Sequence, residues 1–464
     1  MDETTVPSTP ETDDISNLSY FQSVKRVLSN RNWTIYLMTV WIYGSMAILH
    51  QYFNLYFRDI GVSYILTGAL ISLMFFINLL GTFVAGYLAD NYDRRKLSVV
   101  TMVVGGTGFI MISLTTDVVL IALAMLVFGL SALTGAAGRA YHMQQVDRRL
   151  AGIANSLFTL GTSLGLAPLL LIVVMFETGF TFVAIMQTLF FIAGILYYIA
   201  ALVRATILTS LPFEKREVQR ENLLKDFLSE NVRGLRLLLR IFPTFIAIVC
   251  IDAFSDSFYR FVSPFFVNET LNFGIPEINL MFLVILISSI PIAMYLGRIF
   301  DKRGGKRLTL IVYSVMPIAV LLLILAQYVP YVAPPEWLAA ADGIFPGLSV
   351  IFSLAFIATA MKQTNDILWY SVLGIYIMKS LPRPDLGKML SLTDVIVLLF
   401  ISIGPIPAGI IYTYFQGLPL LYTVLFLNIF ILIMLATRSI EPRISVEELE
   451  NEANMEIHSE QQNQ

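Results

Sequence analysis

Asp252, Asp256 and Arg260 stand four residues apart within one apolar stretch, and Lys362 and Asp366 repeat that step in another. On an α-helix a four-residue step returns a side chain to nearly the same face, so each set is expected to form one charged stripe. Such stripes can hold a proton, hold an ion pair, or meet a polar guest. Three carboxylates oppose two cations here, and full ionisation would leave one negative charge uncompensated in apolar surroundings. One aspartate is therefore expected to hold a proton readily. Asp256 has Arg260 one turn away, which makes Asp252 the first candidate, with Asp256 and Asp366 behind it. Arg260 and Lys362 are then expected to meet an anionic or polar group of a guest, or to neutralise the carboxylates when no guest is bound. The plainer alternative makes Asp256–Arg260 and Lys362–Asp366 neutral structural pairs along their own helices.

Other polar groups in apolar stretches are fewer. Tyr43, His50 and Asn54, flanked by Gln51, form a second candidate stripe. Arg139, followed by His142, closes a third stretch, and Asp394 lies inside a fourth. Each has a bland reading as well. His50 can be a hydrogen-bonded packing residue, Arg139 can snorkel toward headgroups, and Asp394 can bond a neighbouring hydroxyl. Trp41, Tyr52, Trp369 and Tyr370 read first as packing or interface aromatics. No paired His/Cys spacing, phosphate loop or nucleophile motif is present, and His50, His142 and His458 are scattered. No enzyme activity, metal, cofactor or ATP drive is expected. Cys250 is the single cysteine, so no intramolecular disulfide can form.

The elements that must position these groups follow from composition. Of the residues 57% are hydrophobic and only 14% charged, with a mean hydropathy of +0.75. That is too little charge to cover a soluble domain of 464 residues, so lipid must be part of the solvent. A net charge of -3 is too small to suggest nucleic acid or any strongly charged partner, and no nucleic acid is expected. Runs long enough to span a bilayer fall at 33–57, 63–89, 97–115, 118–142, 151–176, 180–203, 241–267, 278–299, 308–328, 346–379, 388–412 and 418–437. These twelve are spans 1 to 12. The tenth is too long for one straight helix, and Pro330, Pro334, Pro335 and Pro346 crowd its approach. Part of 330–350 is therefore expected to be an external loop with a short interfacial helix. The chain opens on polar, acidic residues rather than a signal peptide. Both tails are expected to be disordered, although 444–456 has helical composition.

Apart from Arg58, Arg260 and Lys362, the lysines and arginines gather at the tails and at loops of one side. This asymmetry predicts both termini in the cytoplasm. The charged connection 204–240 splits the spans six and six. The expected organisation is an N-terminal tail over 1–32, a bundle over 33–205, a linker over 206–240, a second bundle over 241–437 and a C-terminal tail over 438–464. The halves also repeat. Gly86-Tyr87-Leu88-Ala89-Asp90-Asn91-Tyr92-Asp93-Arg94-Arg95-Lys96 follows span 2, and Gly297-Arg298-Ile299-Phe300-Asp301-Lys302-Arg303-Gly304-Gly305-Lys306-Arg307 follows span 8. Leu55-Tyr56-Phe57 in span 1 is echoed by Pro264-Phe265-Phe266 in span 7. Two parallel halves of this kind are a transporter architecture.

These two loops resemble the signature of the major facilitator superfamily, roughly G-x-x-x-D-x-x-G-[RK]-[RK], and the resemblance covers about residues 20–437. Gly86, Asp90, Arg94 and Arg95 match in the first copy, where Asp93 replaces the usual glycine. Gly297, Asp301, Gly304, Lys306 and Arg307 match in the second, with Gly305 inserted. The resemblance implies an all-α membrane protein of twelve helices in two pseudo-symmetric bundles. It implies that these loops latch one gate state, the alternative being plain topological anchors. It also implies that spans 1, 4, 7 and 10 line a central cavity, and the ionisable residues buried in spans fall on those four, Asp394 excepted. Span 5 carries Gly161-Thr162-Ser163-Leu164-Gly165 but lacks the proline of the family's export motif, whereas Gly404-Pro405-Ile406-Pro407-Ala408-Gly409 places a similar segment in span 11.

The function expected is secondary active transport of a small organic solute by alternating access, coupled to protons. The acidic excess points to antiport and export. A uniporter of the same fold is the rival reading, and a transport-dead sensor would need a larger soluble output domain than these tails supply. The expected partners are a small-molecule substrate, the proton and the lipid bilayer, with the chain a monomer in the plasma membrane.

Overall fold

A long apolar run in lipid has only its own backbone to bond, so helix is the outcome that leaves no peptide group unmet. The computed structural model describes residues 20–143, 145–146, 150, 154, 157–158, 165–210, 223–288, 306–380 and 386–438. In chain order its helices are α1 (Tyr20–Ser29), α2 (Arg31–Gly44), α3 (Phe53–Asp59), α4 (Tyr64–Asn91), α5 (Arg94–Ser113), α6 (Val118–Leu130), α7 (Ala132–Met143), α8 (Leu166–Glu177) and α9 (Phe182–Ile207). There follow α10 (Leu223–Ile241), α11 (Pro243–Phe265), α12 (Ile275–Ser288), α13 (Lys306–Leu325), α14 (Pro335–Ile344), α15 (Leu354–Ser380), α16 (Leu386–Ile403), α17 (Pro405–Phe415) and α18 (Gly417–Thr437). No strand is named among the described residues; only an isolated bridge joins Tyr331 and Ser353. Short polar side chains start the helices by accepting from their first free amides. Ser63 caps α4, Asp93 caps α5, Asp117 caps α6 and Thr181 caps α9.

Among the described residues six stretches are each long and apolar enough to cross a membrane, and a seventh is reached if the bent pair ending α10 and forming α11 counts as one. The outer faces fit lipid: Phe191, Ile195, Ile199 and Leu202 are exposed along α9, and Tyr422, Phe426, Phe430 and Ile433 along α18. Such continuous exposed apolar faces are not tolerated in water. The other expected spans are interrupted or extend beyond the described residues. Span 1 is α2 and α3 joined by a tighter 3-10 segment, Ser45–Tyr52. Two of the six crossing stretches also carry a joint, span 4 at Ser131 and span 11 at Gly404-Pro405. Span 10 begins at Leu354, later than the apolar run implies, because Gly347 takes a left-handed φ of 81° and a 3-10 turn intervenes. The short helix expected in 330–350 is α14.

Two elements correct the reading of the tails and linker. α1 lies within the expected N-terminal tail, and α10 occupies the second half of the expected linker. Both are amphipathic, and α10 meets α11 at a bend of 104° at Phe242-Pro243. Residues 439–464, and with them the helical composition at 444–456, lie outside the described residues.

The helices up to Ile207 pack mainly on one another, as do those from Leu223 on, with α4 crossing to meet α16 and α17. Glycine makes that crossing possible. A Cβ on Gly68 would collide with the Pro405 carbonyl, and one on Gly409 with the Tyr64 carbonyl. The backbones touch there because no side chain holds them apart. The largest apolar cluster takes residues from both halves, Tyr52, Phe57 and Ile185 with Phe261, Phe265 and Ile285 among them. The clusters nearer the chain termini each stay within one half, as with Trp33, Leu37 and Leu157 in the first and Phe245, Trp369 and Leu435 in the second. The described halves are thus sealed together at the end away from the termini.

Candidate functional site

The charged stripes meet inside the second half. α11 presents Asp252, Asp256 and Arg260 from one face, and α15 brings Lys362 and Asp366 against it. Arg260 Nε lies 2.6 Å from Asp256 Oδ2, Lys362 Nζ 2.7 Å from Asp256 Oδ1, and the same ammonium 2.6 Å from Asp366 Oδ1. The pairs are therefore not confined to their own helices: Asp256 takes both cations, and Lys362 ties two helices together. Lys362 also stands 5.0 Å over the Tyr259 ring. Asp252, Asp256 and Lys362 are buried, whereas the Arg260 side chain is 57% exposed. Arg260 shares its helix face with the buried Asp252 and Asp256.

The ion pairs of the described residues pass Asp252 by. Its oxygens accept from two neutral donors, Tyr313 Oη and Trp369 Nε1, each at 2.8 Å. Tyr313 also reaches Asn428 Oδ1 at 3.2 Å. Beside Lys362 and Asp366 on α15, Asn365 is buried with neither side-chain atom bonded among the described residues. A buried amide with both ends unmet is suited to a guest or a water. Sequence reasoning passed over Tyr313, Asn428 and Asn365.

The span 1 candidates do not share one surface. Pro264 supplies no amide to the Arg260 carbonyl four residues back. Asn54 Nδ2 donates to that carbonyl instead, at 3.0 Å, joining α3 to α11. His50 Nδ1 contacts the Ala47 carbonyl at 2.8 Å, and its ring packs among Phe53, Phe109 and Phe128. Tyr43 stacks near Tyr197, with ring centroids 4.7 Å apart. The 3-10 segment between Gly44 and Phe53 turns the chain faster than an α-helix and scatters the three.

Arg204, read from sequence as the start of the connection, is instead fully buried in the last turn of α9. Its guanidinium lies 4.1 Å over the Tyr36 ring, donates to Thr39 Oγ1 at 2.9 Å and leaves Nη2 without a hydrogen-bond partner among the described residues. Asp394 is exposed on α16. The side chains of Arg139 and Tyr370 lie outside what the structure describes.

Of the first loop motif, Gly86 and Asp90 end α4, and Arg94 and Arg95 open α5. Asp93 has a local reason to replace glycine. Its Oδ1 accepts from the Arg95 amide at 2.9 Å and its Oδ2 from Ser210 Oγ at 2.8 Å. Arg95 in turn donates to the carbonyls of Arg204 and Ala205, where cations suit a helix C-terminus. Nothing is described for the Gly86 and Asp90 side chains. In the second copy Gly297, Asp301 and Gly304 lie outside the described residues, Lys306 opens α13, and Arg307 is exposed.

At the far end, Glu269 gathers four elements. It follows α11 in a π-turn, Phe266–Thr270. Tyr64 Oη donates to both its carboxylate oxygens, at 2.7 and 2.9 Å, and Tyr412 Oη donates at 3.0 Å. Arg58 Nε stands 3.5 Å away, with its guanidinium 4.4 Å over the Tyr64 ring. Below this cluster Tyr52 Oη donates to Asn279 Oδ1 at 2.6 Å, and Asn279 donates to the Leu169 carbonyl at 2.9 Å. Exposed ion pairs are worth about 0–1 kcal/mol, so the Arg58 contact is a weak fastening. Glu269→Ala is expected to speed labelling of Val62→Cys by an impermeant maleimide roughly tenfold in a Cys250→Ser background. Tenfold is the factor that about 1.4 kcal/mol makes in an opening equilibrium. Unchanged labelling would show that Glu269 does not hold the seal.

Comparison with known proteins places this geometry. A family model for the major facilitator superfamily matches residues 18–366. The fold is similar to a mutant of the nucleoside transporter NupG, with a TM-score of 0.65 and 13% identity over 89% of this chain and 99% of that one. It is similar to the inward-open xylose transporter XylE from E. coli, with a TM-score of 0.63 and 13% identity over 92% and 99%. It is also similar to the human organic anion transporter MFSD10, with a TM-score of 0.54 and 15% identity over 89% and 99%. Identities this low carry the fold alone. A search of curated proteins by sequence finds no match.

Proposed function

We propose, from the premise that this chain belongs to the major facilitator superfamily and so moves small solutes across a membrane, that a proton gradient drives it and that Asp252 carries the proton. The observation that carries the reading is the division of labour on α11. Asp256 binds both cations, while Asp252, one turn away and equally buried, is held among the described residues by a phenol and an indole. Neutral donors can serve a carboxylate or a carboxylic acid, so this site can gain and lose a proton without rebuilding its surroundings. Asp366 is the second candidate for that role.

The solute is a small polar organic molecule, with Arg260, Lys362 and Asn365 as its polar contacts. The exposure of Arg260 supports a crevice reaching that group, and the seal around Glu269 supports a state open toward the termini. The lysine and arginine asymmetry favours the cytoplasm for that side, and we assign the chain to the plasma membrane as a monomer. The excess of carboxylates favours antiport, with export of a cationic or neutral compound.

The test has two steps. A thermal-shift screen of the purified protein against metabolites and drug-like compounds identifies a solute, because a ligand of the folded state raises its melting point. The protein is then reconstituted and a pH gradient imposed. Uphill movement of that solute is the expected result; movement that only equalises concentrations would make the protein a uniporter.

A further inference from the structure

Tyr313 stands between two acceptors with one hydrogen to give. Its Oη is 2.8 Å from Asp252 Oδ1 on α11 and 3.2 Å from Asn428 Oδ1 on α18, and Ser255 Oγ reaches the same Asn428 oxygen at 3.0 Å. The other Asp252 oxygen is 2.8 Å from Trp369 Nε1, a group that can only donate. All five side chains are buried. A phenol with one hydrogen can donate fully to only one of these acceptors at a time, so the proton state of Asp252 sets which one takes it. Two arrangements give Tyr313 one donor and one acceptor. With Asp252 ionised, Tyr313 donates to it, and the Asn428 amide turns its N–H groups toward Tyr313 and Ser255. With the proton on Asp252 Oδ1, Asp252 donates to Tyr313, and Tyr313 donates to the Asn428 oxygen. The polarity of the whole chain reverses with one proton.

We propose that Tyr313 is the positioning residue that reads the proton on Asp252 and passes its state through Asn428 to α18; this rests on Asp252 being the proton carrier. α13 is placed for the task, because it packs against both α15 and α18. Pro317 also withholds the amide that the Tyr313 carbonyl would otherwise accept, which loosens the helix at that turn. The other ionisable groups around Asp252 are Asp256 on its own helix and Lys362 and Asp366 on α15. α16 carries Lys388 and the exposed Asp394, and the titratable residue of α18 is the exposed Tyr422.

The experiment needs no solute. Infrared difference spectra of the full-length protein in lipid, recorded across pH, follow the protonated-carboxyl band that Asp252→Asn removes. Tyr313→Phe keeps the ring on Trp369 but takes a donor from the ionised form, so the midpoint of that band is expected to move alkaline by about one unit. Asn428→Leu removes the competing acceptor and gives Tyr313 to Asp252 alone, so the midpoint is expected to move acid. Opposite shifts are the signature of the relay, and either variant alone decides its own sign if the other fails to insert. Unmoved midpoints, or shifts of the same sign, overturn the relay while Asp252 keeps its proton role. If Asp252→Asn removes no band, the proton assignment and the relay fail together.

Discussion

Asp252→Asn is expected to abolish accumulation driven by a pH gradient while leaving solute exchange within about twofold of wild type. Asparagine has nearly the shape of a protonated aspartate. Its oxygen can accept from Trp369 Nε1 and its amide can donate to Tyr313 Oη, so both contacts at 2.8 Å survive the change. What is lost is the proton. A carrier stuck in the protonated form can shuttle loaded, which is all that exchange requires, but it cannot release a proton on one side and take one up on the other. Driven accumulation and counterflow in reconstituted vesicles separate the two. Retained pH-driven accumulation in the variant would move the coupling role away from Asp252, with Asp366 the next to test.

Lys362→Ala is expected to lower transport by more than about a hundredfold and to destabilise the protein by about 3–5 kcal/mol. That is the cost of stripping a buried charge of its partner. Lys362 spends two of its three N–H groups on Asp256 and Asp366, at 2.7 and 2.6 Å. Without it Arg260 alone remains on Asp256, and Asp366 loses its cation. The double variant Lys362→Ala with Asp366→Asn removes the stranded carboxylate. It is expected to recover melting temperature without recovering flux. Recovery of both would make Lys362 a structural cation and withdraw it from the solute site.

Much of this was legible in the sequence because charge in a span is costly and therefore conspicuous. The four-residue steps on spans 7 and 10 put each charged set on one helix face, and counting three acids against two bases pointed to a spare carboxylate. Spacing within one helix cannot show a partner on another, however, so Lys362 read as a mate for Asp366 and its second bond to Asp256 stayed hidden. Tyr313, Trp369 and Asn428 were hidden for a different reason. In an apolar run, tyrosine and tryptophan carry no charge penalty and read as packing, and only the fold shows that their polar ends converge on one carboxylate. Arg204 fell at a span boundary, where a basic residue reads as an anchor, yet one further turn of α9 buries it among Tyr36, Thr39 and Ser98. Helix breaks divided in the same way. Gly404-Pro405 carries residues that commonly end a helix, whereas the 3-10 segment at Ser45–Tyr52 contains neither proline nor glycine and gives no such sign.

The most direct test counts protons. Purified protein in weakly buffered detergent solution, mixed with a solute from the thermal-shift screen, is expected to exchange up to about half a proton per molecule with the medium at the pH where Asp252 is half titrated. The Asp252→Asn variant is expected to bind the same solute and exchange none. An equal proton count from the variant, with binding intact, would contradict the account.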